Sequence, residues 1–166
     1  MAADLDPFAV AVLALVTVQR GAELVLARRN TRRLLAQGAF EAAPGHYPLI
    51  VLVHAAWLLG LWIFAAGIRP DPILIGIFAL LQMARLWVLA TLGERWTTRI
   101  VVLPGAPLIR GGPYRFLSHP NYWVVAAEIL VLPCAFGLIG FAAVFSALNA
   151  AVLAVRIRAE ERSLRG

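Results

Sequence analysis

Apolar positions along the chain come in long blocks rather than in an amphipathic period. The block 7–27 is interrupted only by Gln19, Arg20 and Glu23 near its end. The block 47–68 holds no formal charge and one imidazole, His54, and 72–92 carries Gln82 and Arg85. At about 1.5 Å of rise per residue, each suffices for a helix through a hydrocarbon core about 30 Å thick. A fourth block, 121–155, has Glu128 as its one charge and as a single helix would reach roughly 50 Å, so it must break. Pro133 and Gly137, in LPCAFG, supply the break: proline lacks the helical N–H donor and glycine permits the turn. The pattern predicts an all-α, polytopic integral membrane protein with one domain over 1–166. About five transmembrane helices are expected, over 7–27, 47–68, 72–92, 120–133 and 137–155. The last two form a helical hairpin whose short first arm crosses fully or partway.

Composition narrows the class. The chain is 61% hydrophobic and 14% charged, with a mean hydropathy of +0.81, too apolar for an ordinary soluble domain. One cysteine, Cys134, excludes a disulfide scaffold. The histidines His46, His54 and His119 show none of the paired spacing of a Cys/His metal site, so no metal is expected. The net charge of +6 is carried entirely by arginine. In a soluble protein that excess would suggest nucleic acid; here the arginines flank apolar blocks, which points to topology and to contacts with lipid headgroups. Arg28, Arg29, Arg32 and Arg33 follow the first span, Arg95, Arg99, Arg110 and Arg115 the third, and Arg156, Arg158, Arg162 and Arg165 the hairpin. With five spans all of these fall on one side. The positive-inside rule then places the amino terminus outside and the carboxyl terminus in the cytoplasm of a cell inner (plasma) membrane. Asp4 and Asp6 stand where a signal peptide would carry basic residues, so no cleavable signal is expected.

Candidate chemistry lies in the connection 93–120, GERWTTRIVVLPGAPLIRGGPYRFLSHP, whose glycines and prolines define turns able to bring backbone groups to a ligand. Ser118 or His119 is positioned to cap a helix starting at Pro120, which would aim free N–H groups and the positive dipole end at an anion beside Arg115. The plainer alternative is a helix start with His119 at a wet interface. In RIRAEERSL, Arg156 and Glu160 share a helical face, as a ligand-binding pair or as a solvated ion pair. Arg20 with Glu23, Gln82 with Arg85, and Glu128 must face protein or water within the membrane. A structural role is expected for them, with Arg85 and Glu128 as partners across spans. His54 reads as a hydrogen-bonded core residue, and Trp96 and Trp123 as packing and interfacial anchors.

GPYRFLSHPNY followed some 35 residues later by RIRAEERSL resembles the isoprenylcysteine carboxyl methyltransferase family of integral membrane enzymes. The resemblance covers about 96–164, and WTTRI before the turn looks most like a bacterial branch associated with type III polyketide synthases, whose members methylate long-chain alkylpyrones or alkylresorcinols. It implies a methyltransferase that binds S-adenosyl-L-methionine without a Rossmann sheet, between the cytoplasmic connection and the last helix. Carried over by position, Ala106, Pro107, Leu108 and Ile109 would line the adenosine and Tyr114 would contact the cofactor. His119, Pro120, Asn121 and Tyr122 would embrace its methionine portion, and Glu160 would hold its polar groups. Arg156 would face the lipid side and orient the acceptor oxygen, making it the expected catalytic residue. Ser118 departs from the arginine often found before this histidine. A lipophilic methyl acceptor and membrane lipids are the implied partners. An isoprenylcysteine carboxylate or a phospholipid amine are alternative acceptors, and a non-catalytic scaffold or transporter subunit is the rival of another class.

Overall fold

The computed structural model describes residues 5–42 and 44–165, with side chains for all of these except 46 and 159–165. Five helices account for most of it: α1 (Pro7–Ala36), α2 (Tyr47–Ala65), α3 (Pro72–Leu92), α4 (Pro120–Ala135) and α5 (Ile139–Arg165). Proline opens α1, α3 and α4 at N1, where its missing N–H and fixed φ suit a helix start. Asp6 caps α1 by accepting from the Ala9 N–H at 2.8 Å. Asp71 caps α3 by accepting from the N–H groups of Ile73 and Leu74 at 2.8 and 3.0 Å. Four of the helices are long and apolar enough to cross a membrane. The fifth, α4, has 16 residues and reaches about 24 Å. This is a multi-pass membrane architecture without a Rossmann sheet.

Helix α1 continues past 27 to Ala36, carrying Arg28, Arg29, Arg32 and Arg33 beyond the apolar block. It closes where Gly38 turns to φ +90°, with Ala39 N donating to Leu34 O and Gly38 N to Leu35 O. Helix α4 ends with the same device, Gly137 at φ +71° and Leu138 N donating to Pro133 O, the glycine C-cap in which a left-handed residue satisfies orphan carbonyls. The hairpin break thus falls in LPCAFG, but the helix runs two residues beyond Pro133, to Ala135. Proline there removes the donor that Ile129 O would receive, and the Trp57 indole N–H of α2 reaches that carbonyl at 3.3 Å.

One end of the bundle gathers the start of α1, the α2–α3 connection and the hairpin tip: Asp6 N donates to Ala66 O (3.0 Å) and Asp71 N to Ala135 O (2.7 Å). The other end holds the close of α1, the connection 93–120 and the close of α5. An unpredicted two-residue ladder lies there, Phe40–Glu41 (β1) antiparallel to Val101–Val102 (β2), pairing Phe40 with Val102 and Glu41 with Val101. Two-residue strands leave no periodic signature, so the hydropathy pattern could not reveal them. The core is built from Leu13, Leu61, Ile129 and Leu132, all fully buried. At Gly60 the Phe141 ring of α5 occupies the space a β-carbon would need, 2.5 Å away, so α2 and α5 pack tightly.

Charged groups at mid-bundle pair with one another. Arg85 binds Glu23 through Nε and Nη2 at 2.6 and 3.0 Å and Glu128 through Nη1 at 2.7 Å, while Arg20 bridges the same two carboxylates at 2.8 Å each. Gln19 and Gln82 complete the cluster, Gln82 donating to Glu128 Oε1 at 2.8 Å. Two cations and two anions cancel, and α1, α3 and α4 are tied together, the only economical way to keep such groups away from water.

Candidate active site

The connection between α3 and α4 is fixed at several points. Buried Asn30 of α1 donates through Nδ2 to the carbonyls of Gly93 (3.1 Å) and Trp96 (2.9 Å), and Arg33 pairs with Glu94. Arg99 binds Glu41 at 2.7 Å, with its guanidinium 4.4 Å from the centre of the Tyr47 ring. Hydrogen bonding to Glu41 pushes the Arg99 pKa above its ordinary value, so this cation is committed. Tyr47 shares a 3.2 Å hydrogen bond with Thr98 Oγ1. Gly105, at φ +74°, lies in a turn where Ala106 N donates to Leu103 O. Gly112, at φ +54°, comes so close to α3 that a β-carbon there would sit 2.4 Å from Thr91 Oγ1.

Two cavities with a common wall result. The first, about 570 Å³, is bounded by the connection, the start of α4 and Arg156. The second, about 300 Å³, is lined mainly by apolar side chains of α1, α2, α4 and α5 and touches the charged cluster at Arg20, Glu23 and Arg85. Trp96, Thr97, Asn121, Tyr122 and Arg156 face both.

Arg156 is buried, 9% exposed. Its Nε donates to the Tyr122 hydroxyl at 2.9 Å and its Nη1 to Thr98 O at 2.6 Å, and its guanidinium lies 5.4 Å from the Tyr122 ring centre. Among the described residues no carboxylate pairs with it, so its charge is held by neutral oxygens and an aromatic face. The His119 ring stacks on Tyr122 with centroids 5.2 Å apart and planes at 11°.

Of the residues singled out in the sequence, Ala106, Pro107, Leu108, Ile109, Tyr114, His119, Asn121, Tyr122 and Arg156 line the first cavity together. Pro120 is buried at the start of α4 and does not form the wall. Glu160 lies outside the residues whose side chains are described; its backbone follows Arg156 by four positions in α5. The expected side-chain cap does not form. His119 occupies the N-cap without a capping hydrogen bond, because its ring is turned onto Tyr122, and Ser118 lies one residue too early. Trp123 is 66% exposed, as an interfacial anchor would be, whereas Trp96 is 3% exposed and belongs to the cavity wall. Sequence reasoning missed Thr98, Tyr47 and Asn149. Asn149 left a signal, an amide in an apolar block seven positions before Arg156, and Thr98 lies within the WTTRI stretch.

Residues 74–166, more than half of the chain, match the isoprenylcysteine carboxyl methyltransferase (ICMT) family. The chain belongs to that family. Uncharacterized protein YpbQ of Bacillus subtilis (strain 168) is 39% identical over 158 residues, covering 92% of this chain and 94% of its own length. An uncharacterized protein of Haemophilus influenzae is 27% identical over 154 residues, covering 85% and 86%. No solved structure matches the chain. Membership in the ICMT family implies a membrane methyltransferase. The matched region contains α4, α5 and the whole connection between α3 and α4, which supply most of the first cavity and all of its shared wall.

Proposed function

We propose that this ICMT-family protein transfers a methyl group from S-adenosylmethionine to an oxygen of a lipophilic acceptor, a long-chain alkylpyrone or alkylresorcinol being favoured. The observation that carries this reading is the position of Arg156, a buried cation without a described counter-ion between a cavity open to the polar connection and one lined by apolar helix faces. The first cavity falls within the size range of small-molecule sites. Its lining suits the cofactor: apolar Ala106–Ile109 for the nucleoside, the stacked His119 and Tyr122 rings, and two buried polar atoms lacking partners, Trp96 Nε1 and Asn121 Oδ1. Bound there, the cofactor supplies an electrophilic methyl on a sulfonium, so no covalent nucleophile is needed from the protein.

The protein's own contribution is then placement and exclusion of water. Arg156 draws an anionic acceptor oxygen to the shared wall by charge-assisted hydrogen bonding. Tyr122 and Thr98 hold the guanidinium in position without neutralising it. A carboxylate or acidic enol is largely anionic before reaction, so for it a fixed arginine suffices without a strong base; a phenol, with an ordinary pKa of about 10, must first give its proton to solvent, a loss that pairing of the phenolate with Arg156 favours. A lipophilic tail fills the second cavity from the bilayer. In this reading the arginine-rich end faces the cytoplasm, by the positive-inside rule.

Isothermal titration of the protein in lipid nanodiscs with S-adenosylmethionine tests the proposal. Binding is expected in the wild type, weakened in His119→Ala and Glu160→Ala and kept in Arg156→Ala. A folded wild type without affinity for the cofactor would overturn it.

A further inference from the structure

The second cavity carries polar atoms that the reading above does not use. Asn149 of α5 is 1% exposed, lines this cavity and not the first, and its Oδ1 has no hydrogen-bond partner. An orphan of that kind is expensive where water is scarce, and in a native fold it calls for an occupant. His54 of α2 lines the same cavity. Its Nδ1 lies 2.8 Å from the Ile50 carbonyl, and a carbonyl only accepts, so Nδ1 carries the proton. In a neutral ring Nε2 is then the acceptor.

These two acceptors share one depth. Helices α2 and α5 run antiparallel: Tyr47 and Arg156 meet the same residue, Thr98, at one end, and Gly60 meets Phe141 further along. His54 is seven positions after Tyr47 and Asn149 seven before Arg156, which puts both about 10 Å of helix rise from the shared wall. On α5 the cavity-lining residues Asn149, Val152, Leu153 and Arg156 follow the spacing of a single helical face. The cavity wall is thus mainly apolar in area, with Arg156 at the end shared with the first cavity, the two acceptors further in, and the internally paired Arg20, Glu23 and Arg85 on the α1 and α3 side.

We propose that Asn149 and His54 are specificity-determining residues that recognise a hydrogen-bond donor, a hydroxyl or N–H, carried within the lipophilic part of the acceptor. This rests on the second cavity being the acceptor site. It narrows the favoured long-chain acceptors to those whose chain itself carries a second polar group, a donor set back by several carbon–carbon bonds from the oxygen at Arg156. A tail of pure hydrocarbon leaves Asn149 unsatisfied and binds less well.

The test compares hexadecanoic acid with 8-hydroxyhexadecanoic acid, probes differing only in a hydroxyl set back from the carboxylate by a distance similar to that rise. Binding is measured by quenching of tryptophan fluorescence in nanodiscs, with cofactor affinity titrated on the same samples. The wild type is expected to hold the hydroxylated probe about tenfold more tightly. Asn149→Leu and His54→Phe should each shrink that preference while leaving the unhydroxylated probe and the cofactor unaffected. Equal binding of both probes by the wild type, binding of neither, or a preference undiminished in both variants would overturn the inference. Cofactor affinity kept in any of those outcomes would leave the methyltransferase reading standing; its absence from the wild type would remove that reading instead.

Discussion

Two sets of buried arginines occupy this bundle on different terms. Arg20 and Arg85 sit at mid-bundle between Glu23 and Glu128, with every contact under 3.1 Å, and the cluster is neutral. Arg156 is buried much as Arg85 is, yet among the described residues it rests on a phenol and a backbone carbonyl. The first arrangement spends its charge inside the protein and has little left for a ligand; the second has no anionic partner among the described residues, and in the proposed function an anionic ligand takes that place. Burial of a charge alone therefore does not mark a site. The identity of its partners does.

Substitutions can break this contrast. Glu128→Ala removes an anion shared by Arg20, Arg85 and Gln82, and loss of one partner from a buried ion cluster costs about 3–5 kcal/mol. Thermal unfolding in nanodiscs should show a large drop in midpoint; a midpoint unchanged from wild type would mean that the cluster is not structural. Arg156→Ala should leave the midpoint nearly unaltered and lower turnover on the order of 10²-fold through lost placement. Arg156→Lys should recover only part of this, because an ammonium cannot reproduce the planar fork. Full turnover in the alanine variant would erase the distinction between the two sets.

Smaller changes sharpen it by probing how the wall is held. Gly112→Ala forces a side chain into left-handed backbone against Thr91, a strain of about 1–2 kcal/mol. It should weaken cofactor binding at the first cavity before it loosens the bundle, and unaltered affinity would detach that turn from the site. Trp57→Phe deletes the donor to Ile129 O behind Pro133 and should cost about 1 kcal/mol of stability with no change in cofactor affinity. A loss of affinity there would show the hairpin and the site to be coupled.

Much of the fold was legible because membrane helices announce themselves by block hydropathy and by proline starts. Pro7, Pro72 and Pro120 mark three helix beginnings to the residue, and the excess length of 121–155 required the break at LPCAFG. The helix ends were harder to read. Helix α1 continues through Arg28–Arg33, since leaving the hydrocarbon core does not end a helix, whereas the glycine at 38 does. The residues 106–109, 114, 119, 121, 122 and 156, which line the first cavity, were picked out through a family resemblance rather than through spacing, because loop contacts separated by 35 residues leave no periodic trace. Tyr47 and Asn149, which line the second cavity from other helices, and Thr98, which meets Arg156 through its backbone oxygen, escaped for the same reason, and His54 was read as a core residue without its place in that cavity. The pairing of Arg85 with Glu128 was foreseeable, since membrane-embedded charges must find each other; the bridging by Arg20 and the two glutamines depended on helix rotation that hydropathy does not fix.

The most direct test of the central claim uses S-adenosylmethionine with a deuterated methyl group. It is supplied to membranes containing the wild type or Arg156→Ala, and the lipid extract is analysed by mass spectrometry. The account predicts labelled methyl ether or ester in a lipophilic product with the wild type, and loss of that product in Arg156→Ala with cofactor affinity retained. No labelled lipid-soluble product from folded, cofactor-binding wild type, or equal labelling by the variant, would contradict it.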